Sequence, residues 1–178
     1  GEYYSHAAAM RRVLDNRGVS IVSVGIRAIS SGEIAFYEKN RDRITIHWGK
    51  DQARWDLEEI VKPLVGRPVY VTFDIDGLDG AVMPATGTPT PGGIPYLTAL
   101  AILRRAAEVS TIVGADLVEL APIPGLHVYD YTAAHLAYKM MNYALAGRIG
   151  ATECFRKRRR QCLPAERRPC RQQERRAR

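Results

Sequence analysis

The first 153 residues contain no cysteine; Cys154, Cys162 and Cys170 all lie in the last 25. An odd number of thiols spaced eight apart provides neither a disulfide framework nor the close ligand pairs of a zinc site. Nothing therefore requires an oxidising compartment. No apolar run reaches the roughly 20 residues that span a bilayer, and no secretory leader opens the chain. The expectation is a cytoplasmic protein with no membrane partner. An initiator methionine is also lacking: the chain opens at Gly1, abruptly and inside what looks like a motif, a first hint of a fragment.

What is present is an ordinary globular composition, with 46% apolar and 25% charged residues in 178. A chain of this length is one domain and hides roughly 70% of its unfolded surface. The net charge of +7 is unevenly spread. Residues 154–178 carry 11 basic and 2 acidic side chains, whereas residues 1–153 carry 15 and 17. The body is mildly acidic and the tail alone makes the chain basic. The tail also lacks an apolar period from Phe155 onward, so residues 151–178 are expected to be disordered or to come from a frameshift, leaving 1–150 as the folded portion. Out-of-frame GC-rich coding DNA has this Arg, Pro and Gln bias. A basic arm that meets nucleic acid through phosphate contacts is the competing expectation, weakened by the absence of aromatics after Phe155.

Helical and extended periods alternate along the body. Ser5 can cap a helix to about Asn16, closed by Gly18. Ile21 to Ile26 is a short β-branched run, a buried strand. A helix comes next from Ser31 to about Asn40, then a short strand from Ile44 to His47, and a helix from Ala53 to Val61 ended by Pro63. The strand Val69 to Phe73 leads straight into Asp74. Residues 77–95, with four prolines and five glycines, form a long structured loop. Tyr96 to Val109 is helical, Ile112 to Leu120 extended, and Tyr131 to Leu145 a closing helix. This alternation predicts a three-layer α/β/α sandwich on a mostly parallel sheet.

In open α/β sheets, ligands bind beyond the carboxyl ends of the strands. Asp74, Asp76 and Glu119 lie there. On an extended chain, residues two apart point to the same side, so Asp74 and Asp76 would aim two carboxylates at one spot. Hard divalent cations with oxygen ligands relieve such repulsion. Taken alone, the spacing is also what turn chemistry produces, with Asp74 ending a strand and Asp76 in the turn.

The loop after these acids favours the metal. Phe73-Asp-Ile-Asp-Gly-Leu-Asp-Gly-Ala-Val-Met-Pro-Ala-Thr-Gly-Thr-Pro-Thr-Pro-Gly-Gly93 resembles the signature of the ureohydrolase (arginase/agmatinase) family in its agmatinase-like form. It departs at Gly80, where members usually have proline. Gly114-Ala-Asp-Leu-Val-Glu-Leu-Ala-Pro122 resembles the family strand whose glutamate grips the substrate guanidinium. Tyr4-Ser-His-Ala-Ala-Ala-Met-Arg-Arg12 resembles the agmatinase Ser-His-Gly-Thr segment, with Ala7 and Ala8 in place of Gly-Thr. Gly25-Ile-Arg27 fits the strand between them.

The resemblance implies an arginase-like fold and two Mn²⁺ ions held by two histidines and four aspartates. It implies hydrolysis of a linear guanidino compound, agmatine foremost, to urea and an amine. By the same carry-over Asp74 and Asp76 are metal ligands, Glu119 binds the guanidinium, and His6 shuttles a proton or orients substrate. A strand-end ion pair for Glu119 and a plain surface role for His6 remain open. His47, His127 and His135 belong to no motif; His127 could border the pocket from the loop after Pro122, and His135 suits helix packing. The remaining family ligands, in a Gly-Gly-Asp-His turn and an Asp-Ala-His-x-Asp strand end, are absent. The chain is therefore expected to be the C-terminal portion of such an enzyme, inactive alone, from an intact homo-oligomer (trimer or hexamer). Alternatives are a catalytically dead relative that assembles with an intact subunit, or a nucleic-acid binder working through the Arg-rich tail.

Overall fold

The computed structural model describes residues 3–148; the basic tail lies outside the described residues. Its elements run α1 (Ala9–Val13), β1 (Ile21–Ile26), α2 (Ser31–Lys39), β2 (Ile44–Trp48), α3 (Leu57–Val61), β3 (Pro68–Asp74), α4 (Tyr96–Val109), β4 (Thr111–Val118) and α5 (His127–Arg148). Every strand pairing is parallel: β1 with β2 and β3 with β4. The α/β class with parallel strands is thus as expected. Among the described residues, however, the strands form two separate pairs with no strand hydrogen bonds between them, not one sheet.

Several elements differ from expectation in their bounds. Ser5 Oγ does accept from the Ala7 amide, but a 3-10 turn (His6–Ala8) and a single short α segment stand in place of the longer helix. The expected helix from Ala53 is divided: a 3-10 stretch, Gly49–Arg54, gives way to α3, which Asp56 restarts by capping the Glu58 amide. At α2, Ser30 and Glu33 close a capping box, the carboxylate accepting from both the Ser30 amide and hydroxyl. The last helix begins four residues earlier than expected, at His127.

The core joins α4 and α5 to one face of the β3–β4 pair, through Ala99, Ala133, Leu136 and Met140 against Val71, Phe73 and Leu117. The pleat sends Tyr70, Thr72 and Asp74 to the other face. There the Tyr70 and Thr72 hydroxyls donate to Asp116 at 2.9 and 2.6 Å. No helix covers this face among the described residues, and Tyr70 is 61% exposed.

The long loop after β3 belongs to the core. Ile75, Leu78, Met83 and Ala85 are fully buried, and Ile94 nearly so. Burying such side chains stabilises the fold by about 1.5–3 kcal/mol for each of the larger ones. Asp79 ties the loop shut, its carboxylate accepting from the amides of Ala81, Gly92 and Gly93. Those amides hold its pKa below the usual carboxylate value. The closure brings Gly93 against Leu78 so tightly that a Cβ would sit 2.3 Å from the Leu78 carbonyl oxygen.

Both devices can be probed by substitution. Gly93→Ala forces backbone from backbone and lowers unfolding free energy by on the order of 3 kcal/mol, measured by urea denaturation; a loss under about 1 kcal/mol would contradict the close approach. Asp79 has a depressed folded pKa, so its contribution is complete above the unfolded value and disappears as pH falls through the folded one. Asp79→Asn is therefore expected to destabilise the chain near neutral pH and to have little effect in strong acid, below both pKa values.

Candidate active site

β3 ends at Asp74, and the chain turns at once into a 3-10 turn, Ile75–Gly77, that carries Asp76. The expected extended Asp-x-Asp geometry is therefore replaced by a capped turn. Asp74 Oδ1 accepts from the Asp76 amide at 3.1 Å. This is the arrangement that turn chemistry alone favours, yet it still brings the two carboxylates close. Partial burial, followed by the charge of Asp76 and then of Glu119, pushes the Asp74 pKa up to about 6, against the opposing amide bond. Asp76 is oriented from two sides: Thr88 Oγ1 donates to its Oδ2 at 2.7 Å, and the Arg27 guanidinium stands 3.8 Å from its Oδ1.

Glu119 follows the last residue of β4, which pairs Val118 with Asp74 in register. It is not in the strand, as the sequence suggested, but in the left-handed region at φ 65°, the one non-glycine described residue with positive φ. That conformation costs an ordinary residue about 1–2 kcal/mol. The next residues are pinned: Leu120 bridges to Thr86, and the Ala121 amide donates to the Ala85 carbonyl at 2.9 Å. The signature loop thus fixes the segment that presents Glu119 as well as Asp76.

His6 lies exposed on the turn before α1, and no hydrogen bond or ion pair joins it to the three acids among the described residues. His47 is lowered in pKa by burial, and its Nε2 has no partner. His127 opens α5 instead of lying in a loop, exposed and 3.9 Å from Asp130. His135 packs as expected, its Nδ1 2.7 Å from the Tyr96 hydroxyl and its ring stacked between Tyr96 and Tyr131. Arg27 and Thr88, which touch Asp76, were named in the sequence only as parts of matching segments and were given no role; an arginine one residue past a strand was the available signal.

Asp74 and Asp76 suit a hard cation as oxygen donors, and their mutual repulsion is what a cation would relieve. They are two donors only: among the described residues no group of three or more His, Cys, Asp or Glu is placed to hold a metal. No helix there is long and apolar enough to cross a membrane.

Comparison with known proteins places these features. The model of the arginase family matches residues 1–146. The N(1)-aminopropylagmatine ureohydrolase of Synechocystis sp. is 37% identical over 147 residues, which are 80% of this chain and 46% of that protein. The agmatinase of Bacillus subtilis is 38% identical over 151 residues, 83% and 49% of the two. Among solved structures, the agmatine ureohydrolase of Thermoplasma volcanium aligns at TM-score 0.68 and 28% identity, covering 81% of this chain and 49% of that one. The proclavaminate amidino hydrolase of Streptomyces clavuligerus aligns at 0.69 and 26%, covering 81% and 50%. The chain spans about half the length of the curated relatives it matches.

The raised pKa of Asp74 sets a pH dependence for the metal-free protein. Its proton stabilises the fold most below the unfolded value, and that advantage is lost as pH rises through about 6. Asp74→Asn is expected to raise the melting temperature well above that value and leave it unchanged well below the ordinary carboxylate range; equal shifts at both extremes would refute the assignment. Glu119→Gly should stabilise the chain by about 1 kcal/mol through relief of the backbone, measured by denaturant unfolding.

Proposed function

The chain belongs to the arginase family, and on that premise we propose that it forms the C-terminal half of a hydrolase acting on a linear guanidino amine. The supporting observation is the convergence of Asp74, Asp76 and Glu119 at the carboxyl ends of two paired strands, with Asp74 driven up to about 6. Agmatine is the expected substrate; aminopropylagmatine, named in three relatives, is the same guanidinium with a longer tail.

In this reading water adds to the guanidinium carbon, the carbon–nitrogen bond to the alkyl nitrogen breaks, and both protons of the water end on that nitrogen, which leaves as the alkylammonium and gives neutral urea. Manganese, when bound, would supply a nucleophile at neutral pH by acidifying water. Asp74 and Asp76 would hold it from this chain. Glu119 accepts two N–H groups from the planar guanidinium, a fork-to-fork geometry of charge-assisted bonds. The left-handed backbone and the Thr86–Leu120 bridge aim that carboxylate, so little ordering remains to be done when substrate arrives. His6 serves the leaving amine, the role that the resemblance implies. The further ligands come from outside residues 3–148, so this chain alone does not turn over. The intact enzyme is expected to be a homo-oligomer.

The test is complementation. The 178-residue chain, co-expressed with the N-terminal half of the Bacillus subtilis agmatinase and supplied with Mn²⁺, is expected to release urea from agmatine. The chain by itself should release none. Glu119→Gln in the complemented protein should lower kcat/KM by about 10²-fold or more, since a charge-assisted pair is lost. Urea release by the chain alone would overturn the split; the absence of release on complementation, with both halves folded, would count against the reaction.

A further inference from the structure

Arg27 stands one residue beyond β1, on the strand pair that does not carry the acids. β1 breaks register between Val24 and Ile26, with Gly25 at φ 86°. The side chain of Ile94 occupies the space where a Cβ on Gly25 would lie, 2.7 Å away. The irregularity lies immediately before the residues that lead into Arg27. The guanidinium crosses the gap: Nη2 donates to the Asp76 carbonyl at 2.6 Å and Nη1 to the Gly77 carbonyl at 3.3 Å. Nη2 also stands 3.8 Å from Asp76 Oδ1, and the side chain is only 15% exposed.

Stability alone is a poor reason for such a cation. Its Nε is sealed from solvent and lacks a partner. A half-satisfied buried charge is commonly matched or bettered by an apolar side chain of similar size. What an apolar residue cannot do is hold two successive carbonyls and set a fixed positive charge beside one carboxylate oxygen. The other oxygen of Asp76 is held by Thr88. Together the two contacts bear on both oxygens of that carboxylate. A tie at the far end of the loop, where Gln52 Nε2 donates to the Gly92 and Gly93 carbonyls, does not touch the acids.

We propose that Arg27 is a positioning residue: its guanidinium fork spans the Asp76 and Gly77 carbonyls and so aims the Asp76 carboxylate for a divalent cation. This rests on the proposed function for its metal and for nothing else. Groups that orient a metal ligand typically change metal affinity about 10- to 100-fold when removed. An ammonium carries the same charge as the fork but cannot reach both carbonyls in one geometry.

The experiment compares the wild-type chain with Arg27→Met, Arg27→Lys and, as a control, Gln52→Ala. Hydrogen exchange at amides 76–78 is read in the 178-residue chain, without metal or substrate. Mn²⁺ affinity is read from loss of the free-ion paramagnetic signal in the complemented protein. Both Arg27 variants should exchange faster at 76–78 with β4 unchanged, and bind Mn²⁺ about 10- to 100-fold more weakly. Gln52→Ala should leave both readouts at wild-type values. Unchanged exchange in the Arg27 variants, or Mn²⁺ affinity restored by lysine, overturns the proposal. Should the methionine variant not fold, the lysine variant decides. Because exchange requires no catalysis, a failure here is separable from a failure to release urea.

Discussion

Two carboxylates held close together repel, and in this protein the repulsion is worsened by partial burial of one of them. Asp74 ends a strand whose neighbours exclude water from one side, and Asp76 comes within a single turn of it. A chain free to relax would separate them by rotating the turn. Here it cannot, because the turn is held from every direction that carries structure. The Asp76 amide is bound to Asp74, its carbonyl to Arg27, and its side chain to Thr88. The loop beyond is packed into the core and laced to Asp79. Together these contacts keep that pair of charges from parting.

The same loop also joins elements that no strand ladder joins. β1–β2 and β3–β4 share no hydrogen-bonded register. Contact between them passes through Val24, which touches both apolar clusters, and through the side-chain bonds of Arg27 and Gln52 to the loop. Apolar packing supplies most of the cohesion and the few polar ties supply the geometry. This division is common where a site must be held to within a fraction of an ångström.

How much of this was legible in the sequence depended on whether the signal was local. The strand Ile21–Ile26, the strand from Ile44 (read to His47 and ending at Trp48) and the helix Tyr96–Val109 were visible from period and β-branching. The acids Asp74, Asp76 and Glu119 stood out because their place in the strand order is itself local. Asp56 as a helix start within the stretch from Ala53 was missed because caps compete with period over only a few residues, and the apolar period gave no sign of the early start of α5 at His127. Arg27 reaching residues about fifty positions away, and Glu119 bending into the left-handed region, depend on tertiary contacts that no window along the chain contains.

The conformation of Glu119 also bears on the history of the gene. If Glu119 binds the guanidinium as proposed, a residue held at backbone cost for its side chain is kept only while that side chain is used. Once selection for chemistry lapses, glycine or asparagine at this position is favoured by stability alone, and drift should carry the site there early. Position 119 is thus a sensitive marker of whether a copy of this gene is still under selection, or only recently released from it. Codon 119, compared across closely related strains, would date any such release more sharply than the average rate of substitution along the chain.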